Sequence, residues 1–262
     1  NNYRWLLLLR KQNFLLSFVA TLKMTLIGCF FNFAIPGAVG GDMVKGYYLV
    51  RGQPSGKFEA VISILMDRLV GVYSLFLLAG VALIFTPAQM LQNFWIHKMM
   101  GVTILVTVAV PIGIAVLALT PLSSFLNKLF PWSFLRRLLD TVRFFARSPG
   151  VLIIATLLSL VSQSSAIGTV VIISRMLGYS DIPLGIIGFV VPLVMLVTAI
   201  PITPAGIGLG QTAFLFLFTL ALGHQTSLGP NCMTVIQLES FVWGLVGAYV
   251  FVMDKRKFPR TA

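Results

Sequence analysis

Four stretches of this sequence, 58 to 86, 99 to 119, 149 to 177 and 232 to 253, run through apolar residues almost without interruption. Each reaches or exceeds the roughly 20 residues that a helix needs to cross a bilayer. Hydrocarbon offers no water to satisfy peptide groups, so such stretches must close their hydrogen bonds internally, as helices. Hydrophobic residues make up 58% and charged residues 10% of the 262, so these runs and their connectors take up nearly the whole length. The expectation is an all-α polytopic transmembrane helix bundle, a single integral membrane domain over 1–262 with no soluble catalytic domain beside it. The formal net charge of +12 fits anionic lipid and the enrichment of Lys and Arg in cytoplasmic segments. Without a basic patch interleaved with aromatics, nucleic acid is not expected as a partner.

One apolar segment is broken by Ala-Ile-Pro-Gly-Ala-Val-Gly-Gly-Asp-Met-Val-Lys from Ala34 to Lys45. Pro36 lacks a backbone donor, and Gly37, Gly40 and Gly41 permit conformations closed to other residues, so the preceding helix should stop here. If the chain is helical from Met43 onward, Asp42 and Lys45 share a face beside free N–H groups, the makings of an anion site. A second break, Ala199-Ile200-Pro201 followed by Ile-Thr-Pro-Ala-Gly-Ile-Gly-Leu-Gly and Gln211, repeats the device. Thr203, Gly206, Gly208 and Gln211 lie in it, and an apolar segment with one acid, Glu239, follows as Asp67 follows the first break. Paired glycine and proline interruptions in two halves are the mark of an inverted repeat with two re-entrant, broken hairpins around a midplane site. Re-entrant turns that merely pack the bundle are the plainer alternative.

Basic residues flank the apolar run 13 to 35 on both sides, Arg4, Arg10 and Lys11 before it and Lys45, Arg51 and Lys57 after it. A hairpin that enters and leaves on the cytoplasmic side keeps both clusters inside. Asp67 and Arg68, within the run 58 to 86, point about 100° apart on a helix and cannot simply neutralise each other. Either they serve a substrate, or they form a structural network, Arg68 with Asp42 and Asp67 with Lys45. The segment 122 to 148, where Leu and Phe alternate with Lys and Arg around Pro131, reads as an amphipathic helix on an anionic leaflet. Ser162, Gln163, Ser164 and Ser165 form a polar knot at mid-depth, of the kind that bonds between helices. The short segment from Gln211 to Leu222 suits a second hairpin entered from outside. The run 232 to 253 then returns inward with Glu239 buried, and the C-terminus is cytoplasmic. Cys29, Cys232, His97 and His224 lack metal-ligand spacing, so no metal and no cofactor is expected. No phosphate-binding loop with Lys and Ser or Thr is present to drive an ATP-powered pump.

Phe-Asn-Phe-Ala-Ile-Pro-Gly-Ala-Val-Gly-Gly-Asp-Met-Val-Lys-Gly-Tyr from 31 to 47, Met-Asp-Arg-Leu-Val-Gly from 66 to 71, and Pro-Ile-Thr-Pro-Ala-Gly-Ile-Gly from 201 to 208 together resemble one family. It is the flippase-like transmembrane region of lysylphosphatidylglycerol synthases, found alone in many bacteria and archaea and at the N-terminus of multiple peptide resistance factors. The resemblance covers nearly the whole chain. It implies a prokaryotic inner-membrane domain that moves a phospholipid or lipid-linked headgroup between leaflets, aminoacyl transfer being the work of a separate soluble domain. Two departures stand out. One or two N-terminal spans of the family are expected ahead of Asn1, and Gly210 and Gln211 stand where many members carry Arg-Glu.

These readings lead to a lipid translocator whose headgroup site is drawn from Asp42, Lys45, Asp67, Arg68, Gly40, Gly41, Thr203, Gly206, Gly208, Gln211 and Glu239. Its partners would be membrane lipids, an anionic phospholipid or a polyprenyl-phosphate-linked lipid, with a homo-oligomer left open. The alternatives are a membrane-embedded enzyme of lipid or polyprenyl-phosphate metabolism, with Asp42 or Asp67 as base, and a non-transporting assembly partner. No nucleophile stands beside either carboxylate in a pattern that would favour the enzyme.

Overall fold

The computed structural model describes residues 1–35, 40–51, 57–87, 90, 93–119, 133–200 and 202–255. Pro36 and Gly37 of the first break, Pro201 of the second, residues 120 to 132 of the amphipathic segment and the tail after 255 lie outside them. Every described element is a helix: α1 (Asn2–Lys11), α2 (Phe18–Ala34), α3 (Gly40–Arg51), α4 (Lys57–Ala82), α5 (Phe94–Leu119), α6 (Ser133–Ala146), α7 (Pro149–Met176), α8 (Leu184–Thr198), α9 (Leu209–Leu222) and α10 (Leu228–Lys255). Short 3₁₀ turns occupy Leu83–Phe85 and Pro204–Gly206.

Helix lengths fall into two classes. α4 and α5 have 26 residues each and α7 and α10 have 28 each, enough to cross a membrane. α2, α3, α8 and α9 have 17, 12, 15 and 14, and at 1.5 Å per residue they rise only about 18–26 Å. Counted with its turn, Pro204–Leu222 is a 19-residue apolar run. The turn does not extend the helix, because Ala205, Gly206 and Gly208 take φ of 49°, 72° and 80°, left-handed values that end a right-handed helix.

α2 and α3 fold back on each other. A Cβ on Gly41 would strike the Gly28 carbonyl, and one on Gly40 would meet the Phe31 carbonyl and Ile35. The helix therefore begins at Gly40, three residues before Met43. Gly40 and Gly41 are not its break but its contact surface, small residues that let two backbones approach. Ser17 caps α2, its Oγ accepting from the Ala20 N–H at 3.2 Å.

The two hairpins are exchanged between halves. α2 makes the most extensive interface of the bundle with α10, the long helix after the second hairpin, while α8 packs on α4, the long helix after the first. Both contacts are antiparallel and glycine-mediated: Gly247 lies against the Leu26 carbonyl, and Gly185 against the Phe85 carbonyl. α1 and α7, which precede the two hairpins, also run antiparallel to each other. Arg4 reaches Ser159, and Leu8, one turn later in α1, shares a buried cluster with Ala155, one turn earlier in α7. α1 and α7, which correspond in sequence, thus run in opposite directions, the relation that an inverted repeat requires.

Position follows from composition. α8 is enclosed by α4, α7 and α9 and is buried from Gly185 to Pro192, so it is apolar on every side. α5 lies at the periphery with most of its apolar side chains uncovered, and Pro111 sits inside it without ending it. Beyond α7, the Tyr179 hydroxyl is held by the hydroxyls of Thr226 and Ser227, which pull its pKa below the ordinary tyrosine value. Gly247→Ala and Gly185→Ala should each lower stability by about 1–3 kcal/mol through overpacking. Gly168→Ala, inside α7 with nothing within 4 Å of the added carbon, should raise it by up to about 1 kcal/mol; thermal unfolding of purified protein compares the three.

Candidate functional site

Five charged residues of the first half, Arg4, Asp42, Lys45, Asp67 and Arg68, meet around α4. Arg4, 7% exposed, sits on α1 and donates twice to Asp67 on α4, Nε to Oδ1 at 2.6 Å and Nη2 to Oδ2 at 2.8 Å. Its Nη1 donates to Ser159 Oγ on α7 at 2.7 Å. Gly71, one turn along α4, leaves space for the guanidinium, and Gln163 of the polar knot donates to the Gly71 carbonyl at 2.9 Å. Three helices are thereby tied at mid-bundle through one planar cation.

Asp67 therefore pairs with Arg4 and not with Lys45. In the sequence Arg4 belongs to a flanking basic cluster, because a charge near the start of a chain gives no sign of its depth. The pairing of Arg68 with Asp42 does form, from Arg68 Nε to Asp42 Oδ2. Since Asp67 and Arg68 leave α4 in different directions, α4 grips α1 and α7 on one side and α3 on the other.

Lys45 is held more loosely. Its Nζ is 3.8 Å from Asp42 Oδ1 and 5.4 Å from the centre of the Trp5 ring, a cation–π distance. Gly28 makes room for it: a Cβ there would press on Lys45 Cε at 3.1 Å. The Trp5 Nε1–H, shut from solvent, has no acceptor among the described residues. The first N–H groups of α3 are not all open to an anion, because Gly41 N–H already donates to Asn32 Oδ1 at 2.9 Å. Arg4, Lys45 and Arg68 face Asp42 and Asp67, so the cluster carries one positive charge in excess.

The second break is built from amides. Gln211 Oε1 accepts from the Gly208 N–H at 2.9 Å, and its Nε2 donates to Gln237 Oε1 on α10 at 2.6 Å. Gln237 reaches the Ala205 carbonyl at 3.5 Å. The helix after this break starts at Leu209, and Gly210 lies inside it, packed on Met233. Gly206 packs on Thr198, and the Thr203 hydroxyl is buried without a partner among the described residues.

The two breaks approach the same part of α10. Phe33, near the end of α2, stacks edge-on against Phe241 at 5.7 Å, one turn beyond Gln237. Glu239 does not join them. It is exposed and not buried, because two residues from Gln237 turns the side chain about 200° around the helix. The acid expected at the site thus faces away, and Gln237, unremarked in sequence, takes its place. Asn32 and Gly28, four apart on α2, were equally silent; their i, i+4 spacing puts them on one face.

The family model for the lysylphosphatidylglycerol synthase TM region matches residues 1–247. The chain belongs to this family. Among curated proteins and among solved structures nothing matches it. The ion-pair cluster and the amide cluster of this family member both lie within the matched residues. Asp67→Asn should cost about 3–5 kcal/mol, since it strands the buried Arg4 cation. Arg68→Gln should cost less than about 1 kcal/mol, its side chain being 37% exposed; unfolding midpoints in detergent measure both, and equal losses would contradict this division.

Proposed function

We propose that this chain is a lipid translocator that carries the headgroup of an anionic phospholipid or polyprenyl-phosphate-linked lipid between leaflets. The observation that carries the reading is the loosely held Lys45. It lies in a cluster with one excess positive charge, beside a buried indole N–H without an acceptor, at the root of a hairpin whose arms are too short to span. Charges are kept inside a membrane domain only where they face a partner or a cavity, and an excess of one cation calls for an anion.

The residues divide the work. Arg4, Asp67 and Ser159 hold α1, α4 and α7 as a fixed frame. Arg68 and Asp42 tether α3 to that frame through a partly exposed pair, which is the weaker link. When the tether yields, α3 carries Lys45 away from Trp5 and exposes both donors to a phosphate. Asp42 returns the hairpin when the phosphate leaves. The second hairpin, with Thr203, Gly206, Gly208, Gln211 and Gln237, would receive the headgroup from the other side, as inverted repeats do around a common site. The two hairpins are read as re-entrant from opposite faces, with the C-terminus in the cytoplasm of a prokaryotic cell and the basic connectors on the same side.

A fluorescent-lipid leaflet-exchange assay in proteoliposomes tests the reading, with phospholipids of several headgroups and a polyprenyl phosphate in parallel. Losing one charge-assisted bond to phosphate, Lys45→Gln should slow exchange about tenfold or more while unfolding as the wild type does. Gly28→Ala, which displaces the Lys45 stem, should slow it in the same direction. Exchange of no lipid by folded wild-type protein, or exchange indifferent to both substitutions, would refute the proposal.

A further inference from the structure

A cavity of about 490 Å³ opens where α2 begins and where α3 and α10 end. This is the opposite end of the first hairpin from its break. Its floor is apolar, from Ala20, Met24 and Ile27, and its rim carries Lys23, Arg51 and Asp254. Two cations thus face one acid. Lys23 Nζ lies 3.7 Å from Asp254 Oδ1 with its side chain 45% exposed, beyond the 2.7–2.9 Å of a made charge-assisted bond. The pair is close enough to hold the lysine at the rim and too long to use its donors.

The inverted repeat shows that packing does not require this charge. Lys23 stands as far ahead of Ala34-Ile35-Pro36 as Gly188 stands ahead of Ala199-Ile200-Pro201. In the second half that position is a buried glycine against Ala82, at the equivalent interface of α8 with α4. The same helix contact is made there without an ion pair. A lysine in an otherwise apolar interface, opening on a cavity with an arginine, needs another reason. Basic pockets between membrane helices at a bundle's end are suited to anionic headgroups, and this volume is in the ordinary range for a bound small ligand.

We infer that this cavity is a docking site for an anionic phospholipid: its phosphate bridges Lys23 and Arg51, and its glycerol and upper acyl segments rest on Ala20, Met24 and Ile27. Asp254 limits the affinity by competing for Lys23. The apolar floor distinguishes the occupant from a free anion. The site lies apart from the Lys45 cluster, and binding here does not depend on the protein's being a translocator.

The test is native mass spectrometry of the full chain in detergent, titrated with phosphatidylglycerol, with phosphatidylcholine of identical chains, and separately with inorganic phosphate. Wild type should retain phosphatidylglycerol about tenfold better than phosphatidylcholine. With Lys45→Gln as the common background, so that the headgroup cluster contributes no lysine, Lys23→Gln with Arg51→Gln should erase the preference with the unfolding midpoint unchanged, and Asp254→Asn should raise phosphatidylglycerol retention. Equal retention of the two lipids by wild type, or a preference that survives in the double variant, would overturn the site. Inorganic phosphate bound as tightly as the lipid would overturn its lipid assignment. Should the double variant not fold, Asp254→Asn decides, since no gain in retention counts against the proposal. A wild type that prefers phosphatidylglycerol yet exchanges no lipid would leave this site standing and remove the translocator reading.

Discussion

Burying a guanidinium in a membrane domain is tolerable only where every donor group finds an acceptor, and the Arg4 contacts to Asp67 and Ser159 meet that demand. The remaining geometry follows from it. α4 is fixed to α1 and α7 at the level of Asp67, and the next residue is committed to a different direction. Arg68 therefore turns toward α3, where Asp42 meets it. Lys45, three residues on from Asp42, is left with a distant carboxylate and an aromatic face. The ion network is thus saturated at Arg4 and slack at Lys45.

Glycine supplies the second condition. Helices in lipid gain little from burying apolar surface against one another, since the lipid is equally apolar, so close approach of backbones matters more. Gly28 with Gly41, Gly247 with Leu26, and Gly185 with Phe85 are such approaches. The first closes the α2–α3 hairpin on itself, and the other two seat a short arm of each hairpin against the long helix of the opposite half or the turn that ends it. The exchange brings the ends of both hairpins toward Gln237 and Phe241 on α10. One half of the molecule works with ions and the other with amides, although the backbone plan is repeated.

The sequence displayed its long helices, its two breaks and its repeat, because hydrophobic length and the φ freedom of glycine are local properties. It left Arg68 open between a substrate role and a pairing with Asp42, and the pairing is the one that forms. It misplaced Asp67, whose partner lies 63 residues away on a helix read as a flank. It placed Glu239 inward because an acid in an apolar run invites that reading, whereas the rotation of α10 about its axis is set by Gly244 and Gly247 against α2.

Composition and hydrophobic run length by themselves determined that this protein is a helical membrane domain, since peptide groups in hydrocarbon allow nothing else in segments of this kind. The paired Gly and Pro breaks determined that four of its helices are short. Only the tertiary structure decided which charges meet, which glycines are interfaces and which polar residues face the hairpin ends. Those outcomes depend on the direction and rotation of helices far apart in sequence, and a side chain two positions along a helix points to the opposite side.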